Sequence, residues 1–255
     1  MTRLRSLRFV AVLLGLTFYQ AEAVLASTYK VTPIQVSLST RTASALLTLS
    51  NESSDTLRFQ LSAFAWTQSR QGVVELAPTE DVVFYPPLLT LKPGEERKIR
   101  IGTKAARSPI EKTYRIFFEE LPPLEKADAL PGDSQVKFLT RMGLPIFVEL
   151  TSTVLKGDIE EIRLERGRLA FEVRNSGSVH FAMHKVRVTG SDASSRQTFE
   201  KDLAGWYVLA GGTREFELEL SAAECSQTKI VRIEVETNRV HFTKSAELPA
   251  GACGP

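Results

Sequence analysis

Short runs of alternating apolar and polar residues, each cut off by a turn signal, set the strongest limit on the fold of this chain. "LRFQLSAFAW" places Leu57, Phe59, Leu61, Phe64 and Trp66 in near-alternation with one slip. That pattern predicts a half-buried strand with a bulge at the slip. Further strands are expected over Tyr29 to Ser39 (broken by Pro33), Ala43 to Ser50, Val82 to Tyr85, Lys98 to Ile101, Tyr114 to Phe118 and a long region from Gln135 to Val154. Polar and glycine–proline clusters separate them, as in "NESSD" and Lys92-Pro93-Gly94. No long helical period appears. About seven strands in the first half is the pattern of an immunoglobulin-like sandwich.

The second half repeats the style. Ile159 to Leu164, Leu169 to Val173, Val186 to Thr189, Thr198 to Phe199, Trp206 to Leu209, Glu215 to Leu220, Ile230 to Val235 and Val240 to Thr243 read as short strands. The expected fold is all-β, with two immunoglobulin-like β-sandwich domains over residues 27–149 and 150–255. The chain's 255 residues, 43% apolar and 24% charged, suit two modest cores.

The first 26 residues have a different character. Arg3, Arg5 and Arg8 precede an apolar run from Phe9 to about Tyr19, then small residues. This is the layout of a secretory signal peptide over residues 1–26, with Val24-Leu25-Ala26 as the cleavage site or Ala21-Glu22-Ala23 as a second option. The run is too short for a membrane span. The expectation is an exported, soluble protein without stable membrane insertion. Removing three arginines and Glu22 from 32 basic and 30 acidic residues leaves 29 of each. That balance argues against a nucleic-acid partner.

In an oxidising compartment the two cysteines, Cys225 and Cys253, could pair. They would close a loop of about 28 residues, worth ~3 kcal/mol in the chain-entropy model. Metal or redox chemistry is the weaker alternative, since no histidine pair stands near them.

Catalytic constellations are missing from the sequence. His180 and His184 lie four apart in β-rich surroundings, where that spacing separates them along a strand. No H-E-x-x-H, G-x-S-x-G or glycine-rich phosphate loop occurs. Glu119 and Glu120 would point to opposite faces of a strand and read as solvated charges at its end. No enzyme activity, metal or cofactor is expected. Two arginines inside strands are more informative. Arg115 sits in "EKTYRIFFEELPP" and Arg141 in "VKFLTRMGLPIFVEL". Either both face solvent or both converge on one anion, for which the planar guanidinium fork is suited.

Five stretches in order, "VTPIQVSL", "LTLSNESSDTLRFQLSAFAW", "YPPLLTLKPGEERKIRIG", "EKTYRIFFEELPP" and the strand from Gln135, resemble the N-terminal domain of the PapD-like periplasmic pilus chaperones. The resemblance implies two domains in an L or boomerang arrangement. It also implies a periplasmic chaperone of pilus (fimbrial) subunits that folds and caps them by donor-strand complementation and delivers them to an outer-membrane usher. Most of the family carries an arginine in its first strand, where this chain has Gln35. The Tyr114–Arg115 pair is more similar to the archaic branch, whose clients include spore-coat-U-like pilins. Mapped onto this chain, Arg115 and Arg141 would anchor the subunit's C-terminal carboxylate. Val136, Phe138 and Thr140 would be the donor side chains, with Leu130 extending the row. Self-association of the free chaperone would be a way to cover that strand. The competing reading is an exported two-domain β-sandwich adhesion or structural module without strand donation.

Overall fold

The computed structural model describes residues 27–39, 41–106, 108–124, 138–149 and 152–249. The expected signal peptide, Val136, Leu130 and Cys253 lie outside them.

In the first half the strands are β1 (Tyr29–Thr32), β2 (Val36–Leu38), β3 (Ser44–Asn51), β4 (Leu57–Gln68), β5 (Val74–Pro78), β6 (Val82–Tyr85), β7 (Leu88–Leu91), β8 (Glu96–Thr103), β9 (Lys112–Glu120) and β10 (Arg141–Val148). They form two sheets, ordered β1-β3-β8-β6 and β2-β10-β9-β4-β5, with β7 also on β4. The first strand region is split at the cis Thr32–Pro33 bond. Its front half pairs with β3 in one sheet and its rear half with β10 in the other. The sheets close over Leu47, Leu49, Leu57, Phe59, Ile99, Ile116 and Phe118, all essentially inaccessible.

The second half contains β11 (Gly157–Glu165), β12 (Arg168–Asn175), β13 (Phe181–Ser191), β14 (Gln197–Leu203), β15 (Tyr207–Val208), β16 (Thr213–Glu219), α1 (Ala222–Gln227), β17 (Ile230–Thr237) and β18 (His241–Glu247). Its sheets are β11-β12-β16 and β14-β13-β17-β18, with β15 on β13. They enclose a separate core around Phe171, Phe181, Val188 and Ile233. The one helix among the described residues starts in a capping box, in which Ser221 and Glu224 each bond the other's backbone. It carries the buried Cys225, which is disulfide-bonded. No helix among the described residues is long and apolar enough to cross a membrane.

The same side-chain device ends a strand in each domain. Asn51 is buried. Its amide donates to the carbonyls of Asp55 (2.7 Å) and Leu91 (3.0 Å), while its oxygen accepts from the Ser53 N–H (2.9 Å) and hydroxyl (2.7 Å). Asn175 bonds the carbonyls of Val179 and Val208 and the Gly177 N–H in the same way. Asn51→Ala strands several of these backbone groups. It should lower stability by about 2–3 kcal/mol, read from the urea midpoint of the free protein. A change under a few tenths would show that water satisfies them equally well.

Three expectations need correction. The bulge in β4 is absent: pairing with β9 runs without a shift from Phe59↔Glu120 to Ala65↔Tyr114. The slip marks a change of buried face. Leu57, Phe59 and Leu61 point into the first core, whereas Phe64 and Trp66 point to the other face, where Trp66 meets the second domain. The long strand expected from Gln135 to Val154 is strand only over Arg141–Val148 among the described residues. Glu120 is not a solvated charge. It is 3% exposed, on the core face, and accepts from the hydroxyls of Ser27 (2.7 Å) and Thr140 (3.1 Å).

Candidate functional site: the cleft between the domains

Strand alternation decides what faces the second domain. On β9, Tyr114, Ile116 and Phe118 enter the first core, so Arg115, Phe117 and Glu119 take the opposite face. On β10 the cross-strand partners of those three are Pro145, Gly143 and Arg141. Arg115 and Arg141 therefore share a face, but four positions apart, or ~14 Å along the strand.

Their surroundings differ. Arg141 is half exposed. Its guanidinium carbon lies 4.0 Å from the Phe117 ring centre, and its ε nitrogen is 3.6 Å from a Glu119 oxygen. Phe117 in turn covers Gly143, where an added Cβ would meet the ring at 2.6 Å. Any side chain there would lift the ring and the arginine resting on it.

Arg115 lies deeper. Its guanidinium carbon is 4.7 Å from the ring centre of Trp66 and 5.2 Å from that of Trp206. Each domain thus supplies one indole to the same cation, a geometry favourable through the negative faces of the rings. The ε nitrogen is buried without a partner. The two terminal nitrogens are solvent-accessible and have no hydrogen-bond partner among the described residues. Burial pushes the pKa of Arg115 below its usual value, with the nearby Tyr207 acting the other way. A desolvated cation with free donors gains more from an incoming anion than a hydrated one does.

The floor under Arg115 is aromatic. Trp66, Phe147 and Leu209 form a small buried cluster with Trp206 and Tyr207 against it. The His180 ring stacks on Phe147 at 3.5 Å. One carboxylate ties this floor to the second domain. Oε2 of Glu111, just before β9, accepts from the His180 backbone N–H (2.9 Å) and lies 2.7 Å from its Nδ1, with both side chains buried. The Glu111 N–H donates to Ser178 O. At the other end of the interface the β4–β5 turn reaches across, where Arg70 pairs with Glu172 and Glu215. His184, by contrast, is exposed on β13.

Of the expected donor residues, Phe138 is 60% exposed. Thr140 is turned inward, its hydroxyl 2.9 Å from that of Tyr29 and 3.1 Å from Glu120. Val136 lies outside the described residues. Among the described residues no group of three His, Cys, Asp or Glu side chains is placed to hold a metal. Trp66, Phe147, Trp206, Tyr207 and the Glu111–His180 pair were not singled out as site residues from the sequence. Only "GWYVL" offered a signal, as an aromatic pair in a very short strand.

Comparison with known proteins bears on the family and the fold. Residues 29–150 match the family described as pili and flagellar-assembly chaperone, PapD N-terminal domain. No curated protein sequence matches. Among solved structures, one similar chain comes from the CsuC–CsuE chaperone–tip adhesion subunit pre-assembly complex of the archaic chaperone–usher Csu pili of Acinetobacter baumannii. It is 17% identical over 88% of this chain and 100% of that one, with a TM-score of 0.61. Another is from the Salmonella enterica SafA pilin in complex with the SafB chaperone, 15% identical over 88% and 99%, with a TM-score of 0.60. The Pseudomonas aeruginosa chaperone CupB2 is 18% identical over 86% and 100%, with a TM-score of 0.52. At these identities the likeness is one of fold: two immunoglobulin-like domains.

Proposed function

Because residues 29–150 place this chain in the PapD-type family of pilus-assembly chaperones, we propose that it captures pilus subunits in the periplasm by lending them a strand and hands them to an outer-membrane usher. The signal-peptide pattern of residues 1–26 fits export. No reaction is catalysed; the work is binding.

The observation that carries the reading is the edge of β10. On one side β10 pairs with β9 along its whole length, Arg141 to Val148. On the other side β2 covers only Ile146 to Val148. From Arg141 to Pro145 the backbone on that side is open among the described residues. An open edge is a template for another strand. Phe138 and Leu139, 60% and 44% exposed, continue the edge with apolar side chains. A subunit lacking its last strand would gain backbone pairing from β10 and fill its open core with Val136 and Phe138. Thr140, held by Tyr29 and Glu120, contributes backbone.

The subunit's C-terminal carboxylate goes to Arg115. Arg141, four positions back, supports the preceding residues of the bound strand. The Tyr114–Arg115 pair and the absence of an arginine at position 35 favour the archaic branch, with spore-coat-U-like pilins as clients.

Co-expression with a small signal-bearing β-protein from a neighbouring reading frame tests the proposal. A periplasmic one-to-one complex is expected, and its absence with every such neighbour would sink it. Phe138→Asp should eliminate that complex, since a charge in an apolar groove replaces ~1.5–3 kcal/mol of burial with a desolvation cost. The free protein should still unfold at the parental temperature, because Phe138 is exposed. Undiminished capture by this variant would remove Phe138 from the donor row.

A further inference from the structure

Beside Trp66 the two domains share a recess of about 450 Å³, and neither Arg115 nor Arg141 lines it. Trp66, Gln68 and Glu111 border it from the first domain, and Leu209, Gly211 and Gly212 from the second. Strand register brings its polar side chains together. Strands β4 and β9 are antiparallel, with Ala65 opposite Tyr114. Carried on past Thr67 and Lys112, that register sets Gln68 opposite Glu111. Gln68 has the parity of Trp66 and Glu111 that of Arg115, so both take the face toward the second domain.

Each of the two is engaged at one end only. The Leu209 N–H donates to Gln68 Oε1 at 3.4 Å, which leaves the carboxamide nitrogen. Oε2 of Glu111 is taken up by His180, which leaves Oε1. Gln68 Nε2, Glu111 Oε1 and the Trp66 indole nitrogen are all buried, and none has a hydrogen-bond partner among the described residues. Two are donors and one is an acceptor. Buried polar groups are rarely left so. Three of them on the side chains of one recess suit a polar guest.

Charge and size narrow that guest. The Glu111 carboxylate is shielded from water and repels an anion. The N–H groups of Gln68 and Trp66 oppose a cation. The other charges on the wall cancel, since Lys112 Nζ lies 3.4 Å from an Asp81 oxygen. A hydroxyl group is neutral, and it donates and accepts through one atom, so it can answer Glu111 Oε1 and Gln68 Nε2 together. One water takes up ~30 Å³ of liquid, so the recess has room for a molecule with several hydroxyl groups. At Gly211 an added Cβ would meet nothing within 4 Å, which leaves the wall open on that side.

We infer that this recess binds a small neutral polyol: one hydroxyl bridges Glu111 Oε1 and Gln68 Nε2, and another accepts from the Trp66 indole N–H. The guest touches both domains, so its binding favours their docked arrangement by linkage.

Tryptophan emission reports occupancy, because Trp66 lines the recess and Trp206 lies 5.6 Å from Trp66. Glycerol titrated into the full mature chain should give a saturable change in the millimolar range, on top of a linear solvent effect. Ethylene glycol dimethyl ether is of similar size and accepts hydrogen bonds but has none to donate to Glu111. It should give the linear effect alone. Gln68→Leu should raise the half-saturating glycerol concentration roughly tenfold. Ala210→Leu, which adds bulk to a lining residue, should abolish saturation. Saturation-transfer NMR on glycerol should follow the same order.

A purely linear response to glycerol in the parent would overturn the inference and leave the recess to water. Equal saturation by the ether would do the same, since Glu111 would then receive no donor. So would parental half-saturation in a folded Gln68→Leu variant. If Gln68→Leu does not fold, unchanged saturation in Ala210→Leu overturns it.

Discussion

Arg115→Ala should cost subunit capture about 2–5 kcal/mol, at least ~30-fold in affinity, because a carboxylate brought into the cleft would lose its charged partner in a partly desolvated place. The free protein should lose little. Its guanidinium has no hydrogen bond among the described residues and is held by ring faces alone. The informative comparison is Arg115→Lys, which keeps the charge but neither the planar fork nor the flat stacking between indoles. Lysine should recover only part of the affinity. The measurement is the amount of subunit co-purified from the periplasm, followed by the dissociation constant of the complex. Co-purification at the parental level with Arg115→Ala would place the anchor elsewhere. Arg141→Ala should weaken capture less, since Arg141 is half exposed and already paired with Glu119.

The second large effect is on the fold. Glu111 and His180 are side chains from different domains, and neither is reached by water. Glu111→Ala leaves the His180 N–H and ring nitrogen unanswered in an apolar floor. It should lower the stability of the two-domain unit by about 3–5 kcal/mol, as removal of one member of a buried pair does. His180→Ala should cost less, because the Glu111 carboxylate keeps the backbone N–H of residue 180. Replacing both should cost less than the sum of the two, since each partner suffers mainly from the other's loss. Urea unfolding monitored by tryptophan emission would measure this, as both tryptophans stand at the interface. A Glu111→Ala midpoint within about 1 kcal/mol of the parent would contradict the assignment of this pair as the tie between the domains.

Much of the fold could be read from the chain because alternation is a local property. Each strand of the second half lies on or next to an expected run, from Gly157–Glu165 to His241–Glu247. The position of Arg115 opposite Tyr114, Ile116 and Phe118 followed from the same two-residue period. What alternation cannot encode is which surface covers the other face. In β4 and β10 the apolar side chains change faces as the strand nears the second domain: Phe59 and Leu144 go inward, Trp66 and Phe147 outward. Read within β4 alone, that looks like a bulge. The partners that explain it, His180, Trp206, Tyr207 and Leu209, come from the other domain, and the contact exists only after both domains have folded. Glu120 was misjudged for a related reason. Its parity places it in the core, and the hydroxyls that make this tolerable come from Ser27 and Thr140.

The short strand β2 has a metric consequence. A subunit strand whose C-terminus reaches Arg115 must run in the same direction as β10, and β2 also runs parallel to β10. The two would lie end to end in one lane, and β2 already occupies the lane from Ile146 onward. In the proposed binding mode it would act as an end stop. The incoming strand would slide along the open edge only until its last residue met Gln35, so the depth of insertion would be gauged from the cleft and not from the donor loop. Subunits of differing length upstream would still be seated with their final residues in the same place, as boards of any length are squared against one fence.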